Sequence, residues 1–503
     1  MVPKGCMSFM SLSKVPAAAS MLGFAPGMHT TRQGACVFVP PAIGKAMQAM
    51  PGRRTRASHR LGGLRGMASK PPPAVIDGGG MLFGEDGKFD EEAAQNFLGS
   101  YWQKRCVLIK NAFPFDSPIS PDELAGLACE EEVESRVIVN WEGLGKGDKP
   151  AWEAKQGPFT AEDFEKLPET HYTLLVQEAN RHVPEVNSLL DRFRFIPNWR
   201  VDDVMVSYAS KGGGVGPHTD SYDVFLVQGM GVREWSISHK TIDANNEDMV
   251  IPDINVRVLK NAFKADEKWE LSPGDVLYVP PGAPHWGTAL TDDCMTFSVG
   301  FRAPCIPDTF VEYVQHVTDK MDQYELVRDP DLKVQQEGPG FISKEAVDEM
   351  YDRFVEELTG DNGRDRFASW LGAHVTERFR GGEPWEPIPM EEAHSIVKDL
   401  GDGVIDSLYQ TEGVKFAWRT DDEGVVQLWA GGELFEVPLT GSDVNDDKIL
   451  EAVTLICGST EIFNLGPLVT KGSPVVPLVQ DMVEQGFLYV PLEEEEGVDE
   501  VEE

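Results

Sequence analysis

Two histidines and one aspartate have the types and spacing of a metal-binding triad. His218-Thr219-Asp220 forms an H-x-D triplet, and His285 follows 65 residues after the aspartate. Two imidazoles and one carboxylate can hold Fe(II) on one face and leave the opposite positions open for a co-substrate and dioxygen. An isolated H-x-D triplet is also common by chance, so this interpretation depends on the surrounding sequence.

The elements around the triad are predicted to be strands. Residues two apart on a strand point to the same side, so we expect His218 and Asp220 to lie on one strand and bind one ion. His285 is then expected at a later strand that lies alongside. It ends the sequence GDVLYVPPGAPH at 274–285, in which a tight turn starts a buried strand and a proline-rich corner ends it. The alternative is a surface histidine that follows a loop.

A glycine-rich segment leads into the triad. Four of the five residues at 212–216 are glycine, and Pro217 follows them. Glycines let a backbone pass close to a neighbouring segment. No GK[ST] sequence follows, which disfavours a phosphate-binding loop. We expect this segment to shape the rim of a pocket, with an ordinary flexible turn as the alternative.

Arg233 is the candidate for binding an anionic co-substrate. It begins the apolar strand sequence REWSI at 233–237. A cation inside a barrel needs an anionic partner, because an unpaired buried charge is costly. The dicarboxylate 2-oxoglutarate would supply one, and a guanidinium can hold a carboxylate through two bonds. The alternative is a surface arginine that pairs with a nearby acid.

The charge of the chain is strongly uneven. The 503 residues carry a formal charge of -38, yet residues 1–70 contain ten Lys or Arg and no Asp or Glu. The remainder has 35 basic and 83 acidic residues, a net charge of -48. A body this acidic repels nucleic-acid phosphates. We therefore expect no direct sequence-specific binding of nucleic acid. It would attract a basic partner.

Residues 1–70 have the composition of an organelle transit peptide. They are rich in Ser, Ala, Met, Gly and Arg, and arginines cluster at 53–65. A basic arm that binds RNA is the alternative, and a secretory signal is disfavoured because the apolar stretch at 17–25 is short and interrupted. A mitochondrial destination is predicted, but the FAP sequence at 24–26 resembles plastid presequences, so the plastid stays open. No apolar run is long enough to cross a bilayer, so we expect no membrane partner.

The chain divides into five predicted segments. They are the transit peptide at 1–70, a strand-rich catalytic domain at 71–305, a helical region at 306–390, a small α/β domain of winged-helix type at 391–492 and an acidic, disordered tail at 493–503. Many short strands separated by Gly and Pro turns indicate a sandwich or barrel in the catalytic domain. The seven cysteines show no CxxC, which favours a reducing compartment over a disulfide framework or a zinc knuckle.

The chain resembles the ribosomal oxygenases of the JmjC/cupin superfamily, and among them the bacterial-type arginine 3-hydroxylases of large-subunit ribosomal protein L sixteen. The resemblance spans nearly all of the chain after residue 90. Its motifs are FLGSYWQKR at 97–105, ISPDELAGLA at 119–128, WRVDDVM at 199–205, GGGVGPHTDSYDVF at 212–225 and SVGFR at 298–302.

The resemblance implies a fold and a set of roles. The fold is α+β: a double-stranded β-helix, a helical dimerisation segment and a winged-helix-like domain, so a homodimer is expected. His218, Asp220 and His285 are the implied iron ligands, and Arg233, thirteen residues after the aspartate, is the implied ligand of the distal carboxylate of 2-oxoglutarate. Ser298 is predicted to contribute to co-substrate binding.

The implied reaction is hydroxylation of a protein side chain. Fe(II), 2-oxoglutarate and dioxygen are the expected cofactor and co-substrates, and 2-oxoglutarate leaves as succinate and carbon dioxide. The implied substrate is an arginine of a basic ribosomal protein, which the acidic body suits electrostatically. The candidates to meet this arginine are Asp202, Asp203, Tyr222 and Asp223.

Three other functions are weighed against this one. Hydroxylation of a histidine in another ribosomal protein stays open, whereas demethylation of histone lysine fits poorly with a transit peptide. A catalytically inert scaffold that only binds ribosomes would not need the triad and Arg233 together.

Overall fold

The computed structural model describes residues 74–78, 90–146, 151–241, 259, 263–322, 324, 326–330, 332–334, 338–360, 362–377 and 385–491. The predicted transit peptide and acidic tail lie outside the described residues. Within them, no helix is both long and apolar enough to cross a bilayer.

A nine-stranded sheet forms the larger layer of the N-terminal half. All its neighbouring strands pair antiparallel except β1 and β2, which are parallel. Its strands are, in spatial order, β1 (Val75–Asp77), β2 (Val107–Lys110), β10 (Val276–Val279), β7 (Asp223–Met230), β12 (Cys294–Phe301), β6 (Val201–Ala209), β5 (Tyr172–Val176), β3 (Ser135–Asn140) and β4 (Trp152–Gln156).

A second, three-stranded sheet carries two of the residues that the sequence marked for chemistry, His285 and Arg233. Its antiparallel order is β11 (His285–Ala289), β8 (Arg233–Ile237) and β9 (Glu267–Leu271). Inward side chains of the two sheets share one apolar cluster, in which Leu226 and Leu277 of the large sheet join Trp235 and Leu271 of the small one. Two facing sheets with a common core give the double-stranded β-helix that the sequence predicts.

The opposite face of the large sheet is covered by helices and turns. The helices there are α1 (Glu91–Ser100), α2 (Pro121–Leu127), α3 (Ala161–Glu165) and α4 (Pro184–Asn187). Phe97 of α1 packs against Phe225 and Tyr278, and all three are fully buried. Each such side chain stabilises the fold by about 1.5–3 kcal/mol relative to an exposed one.

The sequence SPDEL at 120–124, with a proline and two acids in the first turn, predicts a helix start, and α2 begins there. Ser120 caps the helix through its side chain, Glu123 returns a bond to the Ser120 backbone, and Pro121 occupies the first turn. This reciprocal pair satisfies two amides that the helix itself leaves free. Short β-branched or aromatic runs between Gly and Pro turns predict strands at 204–208, 224–227, 276–279 and 295–301, and all four lie inside observed strands.

Three helices follow the double-stranded β-helix: α5 (Ile306–Thr318), α6 (Lys344–Thr359) and α7 (Gly363–Thr376). Helical apolar periodicity with many acidic residues predicts helices at 309–321, 344–358 and 365–372. Helix α5 begins three residues earlier than predicted because Pro307 fits the first turn, where no backbone N–H is needed. Tyr313 and Val317 pack against Trp370 in a small core.

The C-terminal region has its own apolar core between three helices and two small sheets. Ile449, Val479 and Leu428 lie in that core and are fully buried. The helices are α8 (Met390–Gly401), α9 (Asp443–Gly458) and α10 (Val475–Glu484). The sheets contain β13 (Ser407–Gln410), β17 (Glu461–Phe463) and β18 (Leu488–Tyr489), and β14 (Phe416–Thr420), β15 (Val425–Ala430) and β16 (Glu433–Pro438). This mixture agrees with the predicted small α/β domain.

Candidate active site

His218 and His285 meet through their backbones. They form an isolated antiparallel bridge, and each backbone N–H donates to the carbonyl of the other at 3.0 Å. Their ring centroids are 4.1 Å apart. The bridge brings together two ligands that are 67 residues apart in sequence.

The prediction that His218 and Asp220 share a strand is wrong. Strand β7 begins only at Asp223, and His218 is a single bridge residue in an otherwise irregular segment. Two causes are visible: Pro217 has no N–H for a ladder, and Gly216 has a positive φ of 84°. Asp220 is held instead by its carbonyl, which accepts from the backbone N–H of Gly282 at 2.7 Å.

The three predicted ligands nevertheless converge. His218, Asp220 and His285 each offer a ligand atom, and these atoms lie within 4.8 Å of one another. Nε2 of His285 is 3.4 Å from Oδ2 of Asp220.

Backbone carbonyls orient both imidazoles. Nδ1 of His218 lies 2.9 Å from the carbonyl oxygen of Gly216, and Nδ1 of His285 lies 3.0 Å from that of Ala283. A carbonyl oxygen only accepts, so Nδ1 carries the proton in each ring. Nε2 is therefore the nitrogen left to bind a metal, which is the usual arrangement of a metal-binding histidine.

The protonation states suit metal binding. Burial, and then the nearby His285, lower the pKa of His218 to about 4. Burial acts to raise the pKa of Asp220, but the contact with His285 and the electrostatic influence of the two neighbouring imidazoles outweigh it and hold that pKa below its ordinary value. A neutral imidazole and an ionised carboxylate are the forms that bind a metal ion, and a set of two nitrogens and one oxygen with open positions suits Fe(II).

Arg233 is buried, and no described carboxylate pairs with it. Its side chain is 4% exposed, and its Nε and Nη2 atoms have no hydrogen-bond partner among the residues that the structure describes. It lies on β8, opposite Ala289 of β11, and therefore on the same inner face as His285. Two unpaired donors of a buried guanidinium fit the distal carboxylate of a bound dicarboxylate, as the sequence predicts.

Ser298 faces the interior between the two sheets. It lies on β12, where it is opposite Leu226 of β7, a member of the shared core. Its neighbours Phe297 and Val299 point to the other face and are fully buried, whereas Ser298 is partly exposed. The hydroxyl is therefore placed toward the space that the co-substrate would occupy.

The candidates to meet the substrate differ in their availability. The Asp223 carboxylate is fully buried and accepts bonds from Gln103, Tyr278 and Arg200, so it supports the fold and does not face the site. Asp203 is also buried, and it accepts from the Gln177 side chain at 2.6 Å.

Tyr222 lies near Asp220 of the triad, and Asp202 is paired with an arginine. The negative charge of Asp220, and then burial, raise the pKa of Tyr222 well above its ordinary value, so this phenol stays protonated. Arg302 links the two candidates: Nη2 donates to Asp202 at 2.7 Å, and the guanidinium carbon is 5.9 Å from the centroid of the Tyr222 ring.

Comparison with known proteins identifies the family. A model of the JmjC domain matches residues 188–309. The ribosomal protein uL16 3-hydroxylase of Escherichia coli (strain K12) is 35% identical over 344 residues, which cover 68% of this chain and 85% of that protein. This chain belongs to the JmjC ribosomal oxygenase family. A probable ribosomal oxygenase of Haemophilus influenzae is 31% identical over 366 residues, 69% of this chain and 83% of the relative.

Solved structures of a ribosomal oxygenase match this chain over most of its length. YcfD from E. coli, in complex with cobalt and 2-oxoglutarate, matches with a TM-score of 0.62 and 30% identity over 78% of this chain and 97% of that one. The predicted fold class is thereby confirmed, as is the prediction of a 2-oxoglutarate-dependent dioxygenase that uses Fe(II) and dioxygen. The inert scaffold is excluded. Cobalt stands where this class uses iron.

No sequence motif pointed to the contact between Trp235 and Gly287. Trp235 and Gly287 face each other across β8 and β11, between Arg233 and the candidate metal ligand His285. The available signal was the period of two along each strand, which puts Trp235 on the face of Arg233 and Gly287 on the face of His285.

Proposed function

We propose that this protein hydroxylates an arginine side chain of a uL16-type large-subunit ribosomal protein. The observation that carries this is the converged triad beside the unpaired guanidinium of Arg233, in a chain similar to a uL16 3-hydroxylase. The strong negative charge of the chain favours a basic ribosomal substrate.

Different residues of the site bind the metal, the far end of the co-substrate and the substrate. Bound iron(II), with 2-oxoglutarate and dioxygen, supplies the oxidising chemistry. His218, Asp220 and His285 hold the metal, and Arg233 fixes the far end of the co-substrate. Tyr222, whose phenol lies near the Asp220 carboxylate, is the candidate to meet the substrate side chain, whereas the Asp202 carboxylate is already paired with Arg302 at 2.7 Å. Positioning the target carbon and excluding water are the protein's contributions.

The test uses the purified full-length protein with Fe(II), 2-oxoglutarate and a uL16-type substrate. We expect the substrate to gain the mass of one oxygen atom at an arginine, with one succinate formed for each, and His218→Ala to abolish both. Succinate formation without any change in uL16 would overturn the substrate assignment and leave the enzyme class intact. Modification of a histidine in another ribosomal protein would support the alternative.

We also propose a homodimer that forms through the helical region. Apolar side chains on α5 and α6 are strongly exposed: Phe310 is 60%, Val347 54%, Tyr351 65% and Phe354 60% exposed. Positions 347, 351 and 354 recur at helical spacing, so they form one apolar stripe. An uncovered stripe of this kind is typical of a protein–protein interface.

The solution mass tests the dimer. We expect Phe354→Glu to convert a dimer into a monomer, as measured by light scattering coupled to gel filtration. Val444→Glu is the matched control, because Val444 is a 67% exposed apolar residue on α9, outside this stripe. A wild-type monomer would contradict the proposal.

The proposed compartment is the mitochondrion, with the plastid as the alternative. Residues 1–70, which carry ten basic and no acidic residues, support an organelle presequence. A fluorescent protein fused after residue 70 should enter one of these organelles. Retention of the fusion in the cytosol would contradict the assignment.

A further inference from the structure

Trp235 lies on the floor of the site between the metal ligands and Arg233. On β8 it is flanked on the same inner face by Arg233 and Ile237, and across the sheet it is opposite Gly287. A Cβ atom on Gly287 would stand 2.8 Å from Cη2 and 2.9 Å from Cζ2 of Trp235. The indole therefore rests directly on the glycine backbone, and its position is fixed.

The indole N–H of Trp235 is buried, and no described residue accepts from it. The side chain is 4% exposed, and Nε1 has no hydrogen-bond partner in the described part of the chain. Buried donors in native proteins nearly always have a partner, so an orphan indicates a missing group. Nε and Nη2 of the neighbouring Arg233 also lack a partner among the described residues. The guanidinium carbon of Arg233 lies 5.9 Å from the centroid of the Trp235 ring system.

The indole N–H of Trp235 and the guanidinium of Arg233, both on β8, thus lack an acceptor among the described residues. The ring centroid of Trp235 is also only 5.7 Å from that of the metal ligand His285. A carboxylate offers about four lone-pair positions, and a guanidinium uses two of them. One carboxylate can therefore satisfy both residues.

We propose that the indole N–H of Trp235 donates to the distal carboxylate of 2-oxoglutarate alongside Arg233. Trp235 then acts as a specificity residue for the co-substrate. It selects a 2-oxo acid that ends in a carboxylate, at a chain length set by the distance from the metal ligands to Arg233. This role is independent of which ribosomal side chain is hydroxylated.

The Trp235→Phe substitution removes the N–H and keeps an aromatic ring on Gly287. The experiment measures binding to the Fe(II)-loaded, full-length protein by calorimetry under nitrogen, with 2-oxoglutarate and with 2-oxopentanoate, which lacks the distal carboxylate. We expect Trp235→Phe to weaken 2-oxoglutarate about tenfold, which is about 1.4 kcal/mol, and to leave 2-oxopentanoate and Fe(II) unchanged.

Trp269→Phe is the matched control. Trp269 is opposite Trp235 on β9 and buried in the same core, but its indole nitrogen is not among the buried orphans of the described residues. The Trp269→Phe protein should bind 2-oxoglutarate and 2-oxopentanoate with the affinities of the wild type. An unchanged 2-oxoglutarate affinity in Trp235→Phe would overturn the proposal, and so would an equal loss for both ligands, which would mean that the indole only packs.

A second measurement covers the case in which Trp235→Phe does not fold. In the Trp269→Phe protein labelled with nitrogen-15 in the indole rings, we expect one indole N–H resonance to move downfield when 2-oxoglutarate binds to the Zn(II)-loaded site. The same resonance should stay in place with 2-oxopentanoate. No movement with 2-oxoglutarate would overturn the proposal.

Discussion

His218 and His285 are joined by two reciprocal backbone hydrogen bonds, each of 3.0 Å. The spacing of the two metal-binding rings is therefore fixed by the backbone before any metal arrives. Each ring is then turned by a hydrogen bond from its own Nδ1 to a carbonyl two residues earlier. Preorganisation of this kind holds ligands near their productive geometry, so the metal does not have to assemble its own site.

The metal-free protein should lose stability as the pH falls from 6.5 to about 4. Burial keeps His218 neutral in the folded protein down to about pH 4, whereas its ordinary pKa is 6.5. In this window the unfolded chain binds a proton that the folded chain does not, so acid favours unfolding. Urea unfolding in EDTA at several pH values measures the effect.

His218→Gln should flatten that part of the pH dependence, since glutamine does not titrate. His239→Gln is the control, because His239 is exposed and outside the triad. An identical pH dependence in wild type and His218→Gln would contradict the assigned protonation state.

Gly214→Ala should weaken Fe(II) binding and destabilise the fold. A Cβ atom at Gly214 would lie 2.3 Å from the backbone oxygen of Gly287, so the glycine-rich segment and β11 would have to move apart. Overpacking of this kind costs about 1–3 kcal/mol. Thermal unfolding and metal titration check it.

Gly126→Ala is the control for that substitution. Gly126 is in α2 with nothing within 4 Å of the added Cβ. Alanine there should stabilise the protein by roughly 0.5–1 kcal/mol, because it restricts the unfolded chain and favours helix. Equal effects of the two alanines would contradict the close approach at Gly214.

Arg233→Met should raise the thermal stability of the ligand-free protein while it abolishes 2-oxoglutarate binding. The substitution removes a buried charge whose Nε and Nη2 have no partner, so desolvation no longer opposes folding. Thermal shift with and without 2-oxoglutarate reports both effects.

Arg136→Met should instead lower stability, because Nη2 of Arg136 donates to Gln177 at 2.9 Å. A less stable Arg233→Met protein that still binds 2-oxoglutarate would contradict this role.

Asp191→Ala should loosen the C-terminal region from the double-stranded β-helix. The Asp191 carboxylate accepts from the Ser459 hydroxyl at 2.7 Å, the Thr460 backbone N–H at 3.0 Å and Arg194 Nε at 3.0 Å. Each donor left without a partner costs about 1–3 kcal/mol where it is buried. We expect faster proteolytic cleavage between the two regions and a lower unfolding midpoint.

Asp447→Ala, at an exposed position on α9, should change neither rate nor midpoint. If Asp191→Ala were cleaved no faster than this control, the carboxylate would not hold the two regions together.

The sequence alone determined the identity of the chemistry. The H-x-D triplet, His285 after its proline corner and Arg233 thirteen residues beyond Asp220 are local signals, and a metal ligand set is defined by residue types. The apolar run at 233–237 also predicted the strand β8 that begins at Arg233. Composition and motifs were enough for the fold class.

Only the tertiary structure decided how these residues meet. The sequence pattern suggested a regular strand at His218, but pairing depends on which backbone lies alongside, and the glycines with Pro217 leave a single bridge to His285. The roles of Asp223 and Trp235 also depended on burial and on partners far along the chain. The Asp223 carboxylate accepts hydrogen bonds from Tyr278 and Gln103, while the Trp235 N–H has no acceptor among the described residues. A sequence shows which donors exist, but the presence or absence of their partners is a property of the packed structure.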